Sequence, residues 1–242
     1  MKKTYYLFTL LLSVFFLGAC SSSDNDNNTD SEDLKPEEVI AKLQGRWKSV
    51  ENGTTWFYQF NNKEEGFRFQ VKKEMNGNEF LIQHFEYSYS PLNTEIHMNI
   101  WLEGKEDDDQ KTEPTLLVFE IDDISDNQIE VEQNNKEWKW NREKIGDFKS
   151  IVGEWKEVVD ENEEDAEITT LTFKENGEGT ESNSYDNEKL SIKYKFDTKQ
   201  GVLTYDRFYG EDDFESEFFI VLDLSDNNLK LLSPEGIESY KK

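Results

Sequence analysis

The chain has 242 residues, a formal net charge of −26 and a single cysteine. That charge repels nucleic-acid phosphates and anionic membrane surfaces, which argues against nucleic-acid binding, and one cysteine excludes an internal disulfide. Aromatic residues make up 14% of the chain, enough apolar surface to build a core, so this is not a disordered acidic tail.

The first segment reads MKKTYYLFTLLLSVFFLGAC. Lys2 and Lys3 give it a positive start and residues 4–19 carry no charge. This is the layout of a secretory signal, and the apolar run is short for a membrane-spanning helix. Leu17-Gly18-Ala19-Cys20 resembles the lipobox of bacterial lipoproteins. The resemblance implies cleavage before Cys20, diacylation of its sulfur and acylation of the new N-terminus. Residues 1–19 then form the signal peptide, and their loss takes the net charge from −26 to −28. Several acyl chains hold a protein stably on a membrane where one does not. Residues 21–33 contain no apolar side chain, so 20–33 reads as a lipidated, flexible tether. Its acidic residues soon after the cysteine resemble the surface-export signal of some Gram-negative lipoproteins. The expected address is the outer membrane, with the cell surface as the favoured face.

Residues 33–43 are expected to be helical, with Pro36, Glu37 and Glu38 in the first turn and Leu34, Val39, Ile40 and Leu43 to bury. A pattern then occurs twice. Leu43-Gln44-Gly45-Arg46-Trp47-Lys48 matches Ile151-Val152-Gly153-Glu154-Trp155-Lys156, and Ile124-Ser125-Asp126-Asn127-Gln128-Ile129 matches Leu224-Ser225-Asp226-Asn227-Asn228-Leu229. Between them LIQHFEY at 81–87 mirrors LSIKYKF at 190–196. Three matches in the same order argue for a duplication, and a period near 100 makes each copy a small domain, 34–144 and 145–242, rather than a solenoid turn. Within each copy FRFQV, EIHMNIWL and LSIKYKF alternate apolar with polar, the mark of half-buried strands. Eight strands are expected in the first copy, near 45–51, 54–60, 65–72, 79–89, 94–103, 115–122, 128–133 and 137–142. Short turns at Asn76-Gly77, Ser125-Asp126-Asn127, Asn176-Gly177 and Pro234-Glu235-Gly236 make consecutive antiparallel strands, hence two tandem up-and-down β-barrels. A second short helix is expected over 146–151.

A helix followed by Gly-x-Trp on the first of eight strands resembles the lipocalins, and more closely the lipocalin-like modules of bacterial envelope lipoproteins. LTFKENGEGTE at 171–181, LSDNNLKLL at 224–232 and the closing Tyr240-Lys241 share that character. The resemblance covers 34–242 as two copies. It implies that each Trp closes a barrel base under a basic residue from the last strand, pairing Trp47 with Arg142 and Trp155 with Lys241, next to Gly45 and Gly153. Such barrels are either filled by their own side chains or hold one small ligand.

Catalytic signals are sparse. His84 and His97 stand alone in strand-like stretches, and neither a nucleophile elbow nor a phosphate loop is present. The acidic runs at 24–28 and 106–109 read as solvated charge, and Asp24 to Lys35 lacks the Gly and Glu of an EF-hand loop. No enzyme activity, metal or cofactor is expected. Five of the six Trp lie in the first copy. Alternation places Trp56 with Tyr58 and Phe60, places Trp138 and Trp140 with Arg142, and turns Trp101 outward with His97 and Asn99. Trp56, Tyr58, Trp101, Trp138 and Trp140 are thus the candidate contacts for a ligand or partner. The expected function is a non-enzymatic, envelope-anchored binding module for a small hydrophobic or glycan ligand, with the first barrel as its site. The alternative is a structural or protein-interaction module, contacting an envelope protein, with filled barrels. A cavity above ~300 Å³ favours a ligand, and an exposed apolar patch favours a protein partner.

Overall fold

The computed structural model describes residues 34–61, 64–70, 82–102, 114–159, 167–185, 189–210, 213–234 and 236–242. The expected signal peptide, the tether with Cys20, and the Asn76-Gly77 turn lie outside them. The described residues form one helix and sixteen strands, the strands in two closed antiparallel barrels. Helix α1 is Pro36–Leu43. The first barrel comprises β1 (Gly45–Glu51), β2 (Thr54–Phe60), β3 (Glu65–Gln70), β4 (Ile82–Ser90), β5 (Glu95–Leu102), β6 (Thr115–Ile124), β7 (Gln128–Gln133) and β8 (Lys136–Glu143). The second comprises β9 (Gly153–Glu157), β10 (Thr169–Phe173), β11 (Glu178–Asn183), β12 (Lys189–Asp197), β13 (Val202–Phe208), β14 (Phe214–Leu224), β15 (Asn228–Leu232) and β16 (Ile237–Lys241). Within each barrel every strand pairs with its neighbours in sequence, and β1 with β8 and β9 with β16 close the cylinders. Closure leaves neither barrel with a free edge.

The register repeats between the barrels in detail. Both carry a bulge at the same place, between Ile121 and Asp123 and between Val221 and Asp223. Both follow it with a turn in which a serine hydroxyl accepts a backbone N–H: Gln128 N to Ser125 Oγ at 3.0 Å and Asn228 N to Ser225 Oγ at 3.1 Å.

The two bases show why Gly-x-Trp is written twice. Trp47 and Trp155 are fully buried, and each indole N–H donates 2.7 Å to a carbonyl four residues back, of Leu43 and of Ile151. The Arg142 guanidinium lies 4.1 Å over the Trp47 ring and donates to the carbonyls of Lys42 and Gln44, both at 2.7 Å. Gly45 sits at φ +109°, where a Cβ would come 2.8 Å from Arg142 Nη1. Gly153 sits at φ +141°, where a Cβ would come 2.6 Å from Lys242 Cε. At both positions the left-handed backbone angle calls for glycine, and the cation lies close above it.

Two expectations are corrected here. The cation over Trp155 is Lys242, 4.6 Å from the ring, and not Lys241. Tyr240 points inward, so Lys241 points outward and the inner face resumes at Lys242. In addition, no helix precedes the second barrel, because residues 144–152 run without regular structure. The segment is too short to offset the cost of helix nucleation. Its apolar side chains Phe148 and Ile151 reach the barrel core directly.

The barrels touch along an apolar seam. Phe67, Phe69 and Ile82 on the outside of the first pack against Ile220 and Leu232 on the outside of the second, with Phe57 and Phe218 at the edges. This explains the unbroken run Phe218-Phe219-Ile220-Val221-Leu222. Phe219 and Val221 face the second barrel's core while Phe218, Ile220 and Leu222 face the seam, so both sides of β14 are covered and alternation disappears. Arg46 crosses the seam, donating to Gln59 Oε1 at 2.8 Å and to the Gln200 carbonyl at 3.1 Å. Burial lowers its guanidinium pKa to about 10, against the opposing pull of Glu143.

Candidate functional site

The mouth of the second barrel, at the end away from Trp155, holds a cavity of about 640 Å³. Strand alternation aims its charged and phenolic lining inward, while Ser216, Phe218 and Ile237 reach it from the outer phase. Tyr205 and Arg207 come from β13, Glu215 and Glu217 from β14, Glu181 from β11, Glu238 and Tyr240 from β16, and Glu157 from β9. Arg207 is the only arginine of the second copy. It bonds Glu181 at 3.0 Å, Glu217 at 3.1 Å and Glu215 at 3.3 Å, with its side chain only 17% exposed. Tyr205 donates to Glu181 at 3.1 Å, Tyr240 to Glu238 at 2.6 Å and Tyr209 to Glu215 at 3.1 Å. A Glu157 carboxylate oxygen accepts the Thr169 N–H at 3.0 Å.

Five carboxylates and one guanidinium line this cavity, a formal excess of four negative charges. Burial, reinforced by Glu181 and by Glu238, pushes the Tyr205 and Tyr240 phenols far above their ordinary range. Burial works against the Arg207 charge, but the Tyr209 hydroxyl and Glu181 more than offset it and hold that charge firmly. All three groups thus move away from neutral pH, whereas a general acid or base works best with a pKa near it. The arrangement is suited to holding charge in place. Among the described residues, no group of three or more His, Cys, Asp or Glu is arranged to hold a metal ion.

The same positions in the first barrel are largely apolar. Arg207 pairs with Ile192 and Glu215, and its counterpart Ile100 pairs with Phe85 and Thr115. By the same register Tyr205 corresponds to Met98, Glu217 to Leu117, Glu238 to Trp138, Glu181 to Arg68 and Glu157 to Ser49. Four of the sequence candidates converge on this interior. Tyr58 stacks on Trp140 with centroids 4.5 Å apart, and Trp140 meets Phe119 edge-on at 5.0 Å. Trp56 lies under the Arg68 guanidinium at 4.4 Å, and Trp138 is half-buried against the same core. Glu51 reaches in from the end of β1, its two oxygens 2.9 and 3.1 Å from the Tyr58 hydroxyl. Ser49 Oγ and Trp140 Nε1 are buried, face this carboxylate and make no hydrogen bond of standard geometry. Burial raises the Glu51 pKa, and its hydrogen-bonding neighbours only partly counter this. The fifth candidate, Trp101, stands apart on the outer surface, stacked at 6.1 Å on His84.

No protein-family model matches the chain, and no curated protein matches it.

The cavity residues of the second barrel were not singled out from sequence, because in a chain with 53 acidic residues no individual glutamate is informative. One signal was available. Aligning the two copies places Arg207 of Tyr205-Asp206-Arg207 on the inward phase, where the first copy has Ile100 of Met98-Asn99-Ile100.

Proposed function

We propose that this protein is a lipocalin-like lipoprotein of the Gram-negative envelope. Acylated Cys20 holds it to the outer membrane, and it acts as a non-enzymatic binding module. The ligand is a small polar molecule carrying an amino or other cationic group, taken into the mouth of the second barrel. One observation carries this reading: a cavity of about 640 Å³ with five carboxylates around a single arginine. Its volume falls in the range of ligand pockets, and its charge favours a cation over a fatty acid. An amino sugar is the glycan form of such a ligand. The aromatic excess of the first barrel fills that barrel's own core, with Trp47, Tyr58 and Trp140 fully buried, so the ligand role passes to the second.

Calorimetric titration of the mature chain without its lipid tests the site, using spermidine and glucosamine as probes and glucose and decanoate as controls. Saturable binding of a cationic probe is expected, weakened by salt and by Glu217→Gln with Glu238→Gln. Binding of decanoate alone, or of none of the four, would sink the proposal. Mass spectrometry of the membrane fraction tests the anchor: an unmodified Cys20 there removes it.

A further inference from the structure

Trp101 belongs to none of the three apolar clusters formed by the described residues, although tryptophan rings usually anchor such clusters. It lines a groove of about 310 Å³ where the outer face of β3, β4 and β5 meets Gln200, Val202 and Phe218 of the second barrel. Two cross-strand rows run side by side there. One is aromatic: Phe67 opposite His84, and His84 opposite Trp101. The other is polar: Glu65 opposite Glu86, and Glu86 opposite Asn99. The rows are two residues apart along each strand, about 7 Å.

Phe218 of the second barrel packs against the aromatic row and lines the same groove. The Phe218 ring meets His84 edge-on at 4.9 Å and Phe67 at 5.6 Å. The polar row is unfavourable as it stands, because like charges directly opposite on neighbouring strands repel. Glu65, Glu86 and Asn99 are all exposed, so packing does not require them.

We infer that this groove binds a pyranose ring of a glycan, stacked on Trp101 with its hydroxyls on Glu86 and Glu65 of the lining and on Asn99, which lies outside the lining, opposite Glu86. The negative face of an indole attracts the slightly positive C–H face of a sugar ring. Vicinal hydroxyls supply the donors that two facing carboxylates lack in each other. An apolar ligand leaves those carboxylates unpaired and desolvated, and an acidic sugar adds a third negative charge. The groove and the cavity of the second barrel share one lining residue, Phe218, and are otherwise lined by different side chains.

The test is calorimetry and saturation-transfer NMR on the mature, unlipidated chain with three probes: cellotriose, chitotriose and trigalacturonate. Saturable binding of cellotriose or chitotriose, and none of trigalacturonate, is expected. Trp101→Ala should weaken it at least tenfold, Trp101→Phe by only a few fold, and Glu86→Gln by about tenfold. If Trp101→Ala does not fold, Glu86→Gln and Asn99→Ala carry the test, since both side chains are exposed. Glu217→Gln in the second barrel should leave the affinity unchanged. Failure of all three probes, an affinity untouched by Trp101→Ala in a folded protein, or loss of binding in Glu217→Gln would each overturn the inference.

Discussion

The two barrels share one register and have opposite interiors. Near the mouth, the first places Met98, Ile100, Leu117 and Trp138 where the second places Tyr205, Arg207, Glu217 and Glu238. Further from the mouth they agree again: Phe119 answers Phe219, Ile121 answers Val221 and Ile129 answers Leu229, all buried. The difference is thus confined to one end of one barrel. Partly burying charges costs several kcal/mol per ion, and well-packed apolar residues of similar volume are often the more stable choice. The first barrel shows that this scaffold accepts the apolar choice. The second departs from it only around a cavity, as expected where a site has been built at the expense of stability.

The comparison breaks most readily in the first core. Trp140→Ala removes the ring on which Tyr58 stacks and which Phe119 and Phe60 contact, and should cost about 3–5 kcal/mol. The corresponding Tyr240→Ala removes a smaller ring whose hydroxyl serves a mouth carboxylate, and should cost less. Urea denaturation of both variants checks the order. Equal losses would mean that the first barrel is not the stability centre.

Replacing the ion cluster of the second mouth with apolar residues, three of them those of the first barrel, sharpens the comparison. The fourfold variant Glu181→Leu, Tyr205→Met, Arg207→Ile, Glu217→Leu should stabilise the protein by roughly 1–4 kcal/mol and abolish binding of a cationic probe. Arg207→Ile alone should destabilise by about 1–3 kcal/mol, because it strands Glu181 and Glu217 without their counter-ion. Chemical denaturation and calorimetry on the same samples separate the two effects. Loss of stability in the fourfold variant would show that the charges are there for the fold.

A smaller effect comes from Glu51, which intrudes on the first interior. Its folded pKa lies above the unfolded value because burial disfavours the carboxylate. Between the ordinary glutamate value of about 4.3 and that raised value, the folded state holds the proton and the unfolded state releases it. Stability from this group therefore falls as pH rises through that window, and the cost is fully present above it. Glu51→Gln should be more stable than the parent at pH 7, by less than the fourfold variant gains, and flatter with pH across the window. A variant less stable at pH 7 would mean that the Tyr58, Ser49 and Trp140 donors need the charge.

Much of this fold was legible in the residues. The strands expected near 115–122 and 128–133 are Thr115–Ile124 and Gln128–Gln133, where alternating burial is the direct imprint of a half-buried strand; the strand expected near 54–60 is Thr54–Phe60, although Tyr58, Gln59 and Phe60 are all buried. Alternation also separates the outward Trp101 from the inward Trp56 and Trp140. The seam was not legible, since a run such as Phe218 to Leu222 is compatible with any element covered on both sides. The cavity was not either. Tyr205 is one of 10 tyrosines and Glu217 one of many glutamates, and only pairing across four strands brings them to one point. The second helix expected over 146–151 is absent, and Phe148 and Ile151 reach the core without one.

The smallest expected effect lies at the two bases, where the comparison is cleanest. Arg142 both covers Trp47 and donates two hydrogen bonds to the carbonyls at the end of α1. Lys242 covers Trp155 with a compact ammonium at 4.6 Å, and an ammonium lacks the planar fork that reaches two carbonyls while stacking. Lys242→Ala should therefore cost about 0.5–1 kcal/mol, the worth of a partly exposed cation–π contact. Lys242→Arg should gain a similar amount by copying the first base. Lys241→Ala should change nothing measurable, because that side chain is exposed on the outer face. Thermal denaturation of the three variants at low and high salt decides between them. A loss in Lys241→Ala that Lys242→Ala does not share would mean that the last strand is read one residue out of phase, and that the duplication ends before the final turn of the chain.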